Sequence, residues 1–282
     1  MPLFVVATPI GNLEDITLRA LRVLKEADLI ACEDTRHTRK LLGHYQISRP
    51  IVSYHQHNEK ERSAGLIKKL EAGLNIALVS DAGTPLISDP GFRIVRDAID
   101  RGIAVVPIPG PSALIAAVSA SGLPAAEFAF FGFLPARRSA RRARLQALAA
   151  IKSTLIFYEA PHRISQTLAD ARELFGDREC VVARELTKLH EEIVRGSLDR
   201  FDLAGGAERG EMVLLIGPPL EGQASQGGQP DRVPAPSITE EIERLTRVDG
   251  LDQKSALKRI ARGRGISKSE AYRLMLAERR RS

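Results

Sequence analysis

The feature that most constrains the fold is the alternation of short apolar runs with helical patterns over the first 110 residues. The run LFVVA at residues 3–7 predicts a buried strand, and the segment that follows has its apolar residues at helical spacing. The same arrangement recurs with LIAC (29–32), IVSY (51–54), IALVS (76–80) and IAVVPI (103–108). Strands that alternate with helices form a mostly parallel sheet covered by helices on both faces.

A second unit begins near residue 121, and its strands follow one another too closely for a helix between each pair. The candidate strands are FAFFGF, STLIFYEA, ECVVARE, EEIVRGS and EMVLLIG. Short connections favour antiparallel pairing, so a mixed sheet is expected. The predicted fold is therefore α/β, with a parallel α/β domain at residues 1–120 and a mixed-sheet α/β domain at residues 121–218.

The C-terminal part of the chain differs in composition from both domains. Residues 219–237, PLEGQASQGGQPDRVPAPS, are rich in Pro, Gly, Ser and Gln, which predicts a flexible linker. Residues 238–282 contain three short helical patterns with many basic residues, which is typical of a helix-turn-helix-like nucleic-acid-binding module. A helical dimerisation appendage is the alternative for this segment.

Positive charge is concentrated in two places. The chain has a formal net charge of +6, and residues 135–152 contain six basic residues and no acidic one. Residues 238–282 contain twelve basic and seven acidic residues, so the rest of the chain is acidic. Two concentrated basic regions indicate a polyanionic partner such as RNA, although either region alone fits a solvated helix face.

The sequence also excludes some environments. No apolar stretch is long enough to span a bilayer, and the N-terminus lacks the features of a signal peptide. Cys32 and Cys180 are the only cysteines, which suits a reducing compartment. We therefore expect a cytoplasmic protein with no membrane partner.

Three loops rich in Gly and Pro follow strands of the first unit: ATPIGN (7–12), SDAGTPLISDPG (80–91) and PIPGPSA (107–113). In a parallel sheet these loops meet at the carboxyl edge, where ligands bind. The middle loop contains Asp81 and Asp89 and no Lys or Arg.

Such a loop repels phosphate, but it suits a ligand with hydroxyl groups and positive charge, such as S-adenosylmethionine. The alternatives are that the aspartates cap turns or helices, or that they bind Mg²⁺.

The ordered motifs TPIGNLEDIT, EDTRHTRKLL, SYHQHNE, VSDAGTPLISDPG, IPGPSA, GFLP, FYEAPHR and RELTKLHEE closely resemble one branch of the tetrapyrrole methylase superfamily. That branch is the ribosomal RNA small subunit methyltransferase I family, and the resemblance covers residues 3–217 almost continuously. It implies a two-domain tetrapyrrole-methylase-like fold, a homodimer, and S-adenosyl-L-methionine in the cleft between the domains. It also implies 2′-O-methylation of one cytidine in the decoding region of 16S rRNA in the small ribosomal subunit, with no DNA partner.

Carried over by position, the resemblance assigns the cofactor to the three glycine-containing loops and to residues of the second unit that close the pocket. No metal ligand is predicted. The predicted cofactor-binding residues are Pro9, Gly11, Asp81, Gly83, Thr84, Ile87, Ser88, Asp89, Ser112, Ala113, Leu134, Tyr158 and Met212.

Methyl transfer to a hydroxyl group releases a proton, and several motifs contain a candidate general base. YEAPHR places Glu159 and His162 at a strand end and a helix start, and this pair is the catalytic prediction. RELTK offers Glu185 and Lys188, and SYHQHNE offers two histidines. For each of these side chains the alternative is a hydrogen bond that only holds a loop.

The predicted contacts with RNA phosphates come from the motif TRHTRK, the basic run and the tail. They are Arg36, Arg39, Lys40, Arg137, Arg138, Arg141, Arg142, Lys254, Lys258, Arg262, Arg264 and Lys268. Two other functions remain open. A methyltransferase acting on a tetrapyrrole precursor needs neither basic region, and a non-catalytic RNA-binding ribosome assembly factor needs no rigid pocket loops.

Overall fold

The computed structural model describes residues 1–201 and 210–219 and, beyond them, residues 242, 245, 246, 252–263, 267, 269, 271–273 and 275. The chain divides into two compact units, Met1–Glu221 and Gly222–Ser282. The linker predicted at residues 219–237 lies, except for its first residue, outside the described residues. Within the described ranges, no helix is long and apolar enough to cross a bilayer.

The first unit contains a sheet of five parallel strands. The strands are β1 (Leu3–Val6), β2 (Leu29–Cys32), β3 (Ile51–Ser53), β4 (Ile76–Val79) and β5 (Val105–Ile108), in the order β3-β2-β4-β1-β5. The connections contain α1 (Leu18–Glu26), α2 (Thr35–His44), α3 (Glu59–Glu71) and α4 (Phe92–Asp100). This arrangement confirms the parallel sheet predicted from the alternating pattern.

Helices cover both faces of this sheet, which explains why its central strands are apolar throughout. Every residue of β2 and β4 is buried. On one face, Ala20 and Leu24 of α1 pack in a core cluster with alternate residues of the sheet. On the other face, Leu66 and Leu70 of α3 pack with Ile94 of α4. The loops at the strand ends are therefore attached to a rigid, two-sided core.

The second sheet of the same unit is mixed, as predicted. Its strands are β6 (Phe128–Phe133), β7 (Thr154–Glu159), β8 (Glu179–Arg184), β9 (Glu192–Ser197) and β10 (Met212–Ile216). Their order is β6-β7-β10-β8-β9, with β6 parallel to β7 and antiparallel pairs elsewhere. Helices α6 (Arg138–Leu148) and α7 (Pro161–Phe175) pack on one face, where Leu145 and Ile164 join its core cluster.

Helix α5 (Ala113–Ser121) covers the other face of the second sheet. Its residues Leu114 and Ala117 pack with Ile156 of β7 and Val213 of β10. The helix follows the third glycine-containing loop directly, so this loop leads from the first sheet to the second. The domain boundary predicted at residue 120 falls within α5.

A buried charge cluster joins α6 to α7. Asp170 is 1% exposed, and its carboxylate pairs with Arg141 at 2.8 Å and with Arg138 and Arg142 at 3.1 Å. Arg142 also pairs with Glu173. Arg141 is itself 1% exposed, so the prediction that it contacts RNA is wrong. The helical spacing of the basic run could not show this, because the partner carboxylate lies on a different helix.

The C-terminal unit has a small core of its own. Helix α8 (Gln253–Gly263) begins after Asp252, whose carboxylate accepts the Ser255 N–H at 3.2 Å, as expected for an N-cap. Ala256 and Ile260 of this helix pack in a cluster with Met275.

Candidate functional site

The three loops at the carboxyl edge of the first sheet are tied together by hydrogen bonds. Thr8 and Gly83 exchange backbone hydrogen bonds of 2.8 and 3.0 Å, and the Thr8 hydroxyl donates to the Ser80 carbonyl at 3.3 Å. The Thr84 hydroxyl donates to the Pro111 carbonyl at 3.3 Å. The loops therefore form one preformed surface, as the sequence predicted from their shared edge.

A cavity of about 690 Å³ lies between these loops and the second sheet. Its size is typical of sites for small molecules and cofactors. Of the thirteen predicted cofactor-binding residues, twelve line it, namely Pro9, Gly11, Asp81, Gly83, Thr84, Ile87, Ser88, Asp89, Ser112, Ala113, Tyr158 and Met212. The sequence therefore identified the walls of a real cavity, and the role of these residues in holding the cofactor stays a prediction.

Strained backbone is concentrated in two loops beside this cavity. Among the described residues, five that are not glycine have positive φ, and four of these lie in the two loops. Leu86 and Ser88, with φ of 74° and 67°, belong to the acidic loop. Glu185 and Thr187, with φ of 50° and 67°, follow β8. Such strain persists where surrounding structure enforces it, and it clusters at functional sites.

The acidic loop gives one wall of the cavity a concentration of carboxylates. The pKa of Asp89 is raised to about 6, chiefly by burial and further by Glu211 and Asp81, against a hydrogen bond from Ser80 that lowers it. Burial and then the carboxylate of Asp89 raise the pKa of Glu33. A cationic ligand would relieve this mutual repulsion.

The structure also bears on whether the two aspartates only cap local turns or helices. Asp81 accepts the backbone N–H of Asp34 at 3.0 Å, so it links the loop after β4 to the loop after β2. Asp89 does not cap α4, because Gly91 occupies the N-cap position and makes no side-chain cap. Within the described part of the chain, no group of three or more His, Cys, Asp or Glu side chains has the geometry of a metal site.

A turn after β8 lines the cavity beside the first glycine-containing loop. Lys188 and Glu185 form an ion pair of 2.8 Å, and both side chains line the cavity. A Cβ added at Gly11 would lie 2.6 Å from Cγ of Lys188, and one added at Gly210 would lie 1.8 Å from the Glu185 carboxylate. Asn12 donates its N–H to the Thr187 hydroxyl at 3.1 Å. The turn is therefore held against the first cofactor loop.

The predicted catalytic pair lies outside the cavity lining. Glu159 is 0% exposed, and its carboxylate accepts the Thr167 hydroxyl at 2.7 Å and the Ala160 N–H at 2.8 Å. It also pairs with Arg163 at 3.2 Å. These contacts fully engage the carboxylate at the start of α7, so Glu159 holds that helix and we withdraw it as a base. His162 is exposed and does not line the cavity either.

Leu134 is the one predicted cofactor-binding residue that does not line the cavity. Its side chain is 3% exposed and packs in the core cluster under α6 and α7. Its carbonyl accepts a hydrogen bond of 2.6 Å from Arg163. The residue before it, Phe133, lines the cavity instead, because the pairing of β6 with β7 shifts register between Phe130 and Phe133.

The remaining basic residues differ in exposure. Arg36 is paired with Asp34 at 2.8 Å but leaves 84% of its side chain exposed. Lys40 lines the cavity. The other predicted residues with exposed positions are Arg39, Arg137, Arg138, Lys254 and Lys258. The side chains of Arg262, Arg264 and Lys268 lie outside the described residues.

Sequence reasoning missed several residues of the cavity. Phe133 and Glu211 line it, although the sequence analysis gave them no role. Glu185 and Lys188 also line it, but Glu159 was preferred to them as the general base. A glycine inside the apolar strand FAFFGF was an available signal, because Gly in a strand often marks a bulge or a close approach.

The site is a preformed cavity with a carboxylate-rich lining, two strained loops and an ion pair. It suits a ligand with hydroxyl groups and positive charge. Its carboxylates can also accept a proton from a substrate hydroxyl.

Comparison with protein families gives one match over most of the first unit. A sequence model of the tetrapyrrole (corrin/porphyrin) methylases matches residues 2–202. The chain is 46% identical over 276 residues to the ribosomal RNA small subunit methyltransferase I of Halalkalibacterium halodurans, covering 96% of this chain and 93% of that protein. It is 52% identical over 238 residues to the protein of the same name from Pseudomonas aeruginosa, covering 82% of this chain and 84% of that protein.

Solved structures with similar folds share much less sequence. A uroporphyrin-III C-methyltransferase of Thermus thermophilus, complexed with S-adenosylhomocysteine, superposes with a TM-score of 0.52 at 20% identity, covering 77% of this chain and 97% of that chain. Diphthine synthase gives a TM-score of 0.61 at 16% identity, covering 77% and 90%. The predicted two-domain tetrapyrrole-methylase-like fold is confirmed by these matches.

Proposed function

The chain belongs to the tetrapyrrole methylase family and, within it, to the ribosomal RNA small subunit methyltransferases I, and from that premise we propose what it methylates. It is an S-adenosylmethionine-dependent methyltransferase whose substrate is ribosomal RNA. We infer that it transfers the methyl group to the 2′-hydroxyl of a cytidine in the decoding region of 16S rRNA, on the small ribosomal subunit. The nucleotide and the acceptor atom are those that the family resemblance implies.

The observation that carries the proposal is the acidic wall of the cavity. S-adenosylmethionine has a ribose, an ammonium group and a sulfonium centre, and the carboxylates of Asp81 and Asp89 suit hydroxyl groups and positive charge. The loops after β1, β4 and β5 would hold the cofactor, because they line one continuous wall and are fixed to each other. Preformed loops lose little conformational entropy on binding.

When bound, the cofactor supplies an electrophilic methyl group. The protein's contribution is chiefly alignment, since positioning of two reactants is worth about 7–11 kcal/mol of a barrier. A general base adds about 10²–10⁴-fold. Glu185 is suited to accept the proton of the ribose hydroxyl, because it lines the same cavity as the cofactor loops. Lys188 holds that carboxylate in place.

Exposed basic residues support binding of a folded RNA. Arg39 and Arg137 are exposed on the first unit, and Lys254 and Lys258 on helix α8 of the C-terminal unit. Contacts of this kind with phosphates strengthen binding without reading sequence, and they weaken as salt rises. We propose that the shape of the small subunit supplies the specificity.

We also propose that the protein acts as a homodimer in the cytoplasm. The family resemblance is the basis of this proposal, and large exposed apolar side chains are available for an interface between two copies. They are Leu18 (85% exposed), Phe92 (74%), Ile99 (55%), Ile115 (52%) and Leu189 (92%). Sedimentation velocity of the purified chain tests this, and a monomer at micromolar concentration would contradict it.

The experiment that tests the function offers labelled S-adenosylmethionine and three substrates to the purified protein. These are small ribosomal subunits lacking the modification, naked 16S rRNA and a porphyrinogen, and mass spectrometry of nucleosides locates the methyl group. We expect 2′-O-methylcytidine with the subunits. Label on the porphyrinogen alone would support a tetrapyrrole-precursor methyltransferase. No transfer and no cofactor binding would support a non-catalytic assembly factor.

A further inference from the structure

Phe133 places a large apolar ring in the wall of the cavity. It is the last residue of β6, and it remains 46% exposed. It lines the cavity, whereas its neighbour Leu134 is in the core. An exposed aromatic ring in a concave site is unfavourable in water, so a ligand that covers it gains apolar contact.

The backbone before this ring is irregular. Gly132 has a φ of +62°, and the pairing of β6 with β7 shifts register between Phe130 and Phe133. A Cβ added at Gly132 would lie 3.1 Å from the hydroxyl of Ser88, which belongs to the acidic loop. A bulge of this kind redirects a side chain at the end of a strand. Phe133 is therefore presented into the cavity at the point where β6 approaches the cofactor loops.

Other aromatic rings hold Phe133 in place. Its ring lies 5.6 Å from that of Tyr158, tilted by 59°. Tyr158 in turn packs edge-on against Phe130 at 4.8 Å. Tyr158 also lines the cavity, and burial raises the pKa of its hydroxyl, so this side chain stays neutral. A ring fixed in this way is a rigid platform for stacking.

Basic side chains follow the platform in the sequence and line the same cavity. Arg137 and Arg138 follow Phe133 by four and five residues, and Arg138 leaves 67% of its side chain exposed. His37 and Lys40 of helix α2 also line the cavity. Aromatic rings interleaved with basic groups are the combination that binds single-stranded nucleic acid, through stacking of bases and attraction of phosphates.

We propose that Phe133 stacks on the pyrimidine base of the target nucleotide, which is turned out of the RNA into the cavity. This inference rests on the proposed function. A planar base can come from the RNA or from the adenine of the cofactor. The ring lies just before the basic start of α6, four residues from Arg137, which favours the RNA. Enzymes that do chemistry on a base extrude it from the stack, and the same extrusion would bring the ribose hydroxyl of the target nucleotide into a concave cavity.

The test compares F133A, F133L and F133W with wild type in two measurements. One is kcat/KM for methylation of unmodified small subunits, and the other is the Kd of S-adenosylmethionine by calorimetry. F128A is the matched control, because Phe128 is 39% exposed at the far end of β6 and does not line the cavity. F133A should lower kcat/KM by about 5- to 150-fold, the loss of one base–aromatic stack, with little change in cofactor Kd.

The remaining variants separate stacking from simple bulk. The kcat/KM of F133L should fall as far as that of F133A, because leucine keeps apolar volume but has no π-face. F133W should retain most of the activity. If F133A weakened cofactor binding by the same factor as it lowers kcat/KM, the ring would be assigned to adenine and the proposal would be overturned. Unchanged kcat/KM in an active wild-type background would overturn it while leaving the methyltransferase function intact. Absence of RNA methylation by the wild-type protein would contradict both the proposed function and the stacking inference.

Discussion

The ammonium group of Lys188 lies 2.8 Å from a carboxylate oxygen of Glu185, across a turn in which Glu185 and Thr187 both have left-handed φ. The pair is enclosed by Gly11 on one side and Gly210 on the other, with no room for a Cβ at either. A strained turn with an ion pair facing a cofactor-sized cavity indicates a functional rather than a purely structural element.

Replacement of Glu185 by Gln should remove a proton acceptor without changing the shape of the wall. We expect kcat to fall by about 10²-fold or more, since that is the usual contribution of a general base. The Kd of S-adenosylmethionine should change little, because the cofactor loops are untouched. E26Q is the control, as Glu26 is an exposed residue of α1 that pairs only with Arg22 among the described contacts. An unchanged kcat in E185Q would exclude this carboxylate as the base.

Gly11→Ala should displace the Glu185–Lys188 turn. The added methyl group would lie 2.6 Å from Cγ of Lys188 and 3.0 Å from the Leu186 carbonyl, and overpacking of this kind costs about 1–3 kcal/mol. We expect weaker cofactor binding and lower kcat/KM. Gly43→Ala is the matched control, because a Cβ there meets nothing within 4 Å and alanine favours a helix. Equal behaviour of the two variants would show that the close contact is unimportant.

The raised pKa of Asp89 predicts a pH-dependent stability. The folded pKa of about 6 exceeds the model-peptide value of 3.8, so the native state binds more protons between these values. Stability is therefore highest below pH 4 with respect to this group, and it falls as pH rises through 6. We expect D89N to stabilise the protein at pH 8 by about 1 kcal/mol after screening is allowed for.

The gain in stability of D89N over the wild-type protein should disappear at pH 4, where the carboxyl group of Asp89 in the folded wild-type protein is also neutral. Chemical denaturation of both proteins at the two pH values measures the difference. A gain of the same size at both pH values would argue against repulsion and burial of a charge at Asp89.

The cluster around Asp170 predicts a large stability loss for a small chemical change. Asp170→Asn leaves the buried guanidinium of Arg141 without its charge partner, and such a loss costs about 3–5 kcal/mol. Glu173→Gln on the same helix should cost less than about 1 kcal/mol, because that side chain is exposed. Urea unfolding of the two variants checks the contrast. Equal destabilisation would mean that burial of the pair is not what matters.

Removal of residues 222–282 should separate binding of RNA from binding of cofactor. The first unit contains both sheets and the cavity, so cofactor affinity should stay near wild type. Affinity for RNA should fall, and its dependence on salt should become shallower as the contacts of Lys254 and Lys258 are lost. Filter binding at several salt concentrations, with calorimetry for the cofactor, measures both. Loss of cofactor affinity in a truncated protein that still unfolds cooperatively would contradict separate roles.

The strands and the cofactor loops were predictable because their signals are local. Runs such as LIAC and IALVS are apolar at every position, and that pattern predicts a strand buried on both faces wherever it occurs. Parallel strands then bring their carboxyl ends to one edge, so the loops near Pro9, Asp81 and Ser112 had to meet. Twelve of the thirteen predicted cofactor residues line the cavity for this reason.

The tertiary structure alone decided which side chains face the cavity and which partners they meet. Arg141 lies in a basic run that predicts RNA binding, but its side chain is buried in an ion pair with Asp170, 29 residues further along the chain. The motif YEAPHR predicts that Glu159 is a general base, but its buried carboxylate accepts a hydrogen bond from Thr167 and forms an ion pair with Arg163. A bulge at Gly132 brings Phe133, which the sequence did not identify, into the cavity in place of the predicted Leu134. Local sequence determines the periodicity of an element, whereas burial and charge pairing depend on contacts between elements that only the folded chain brings together.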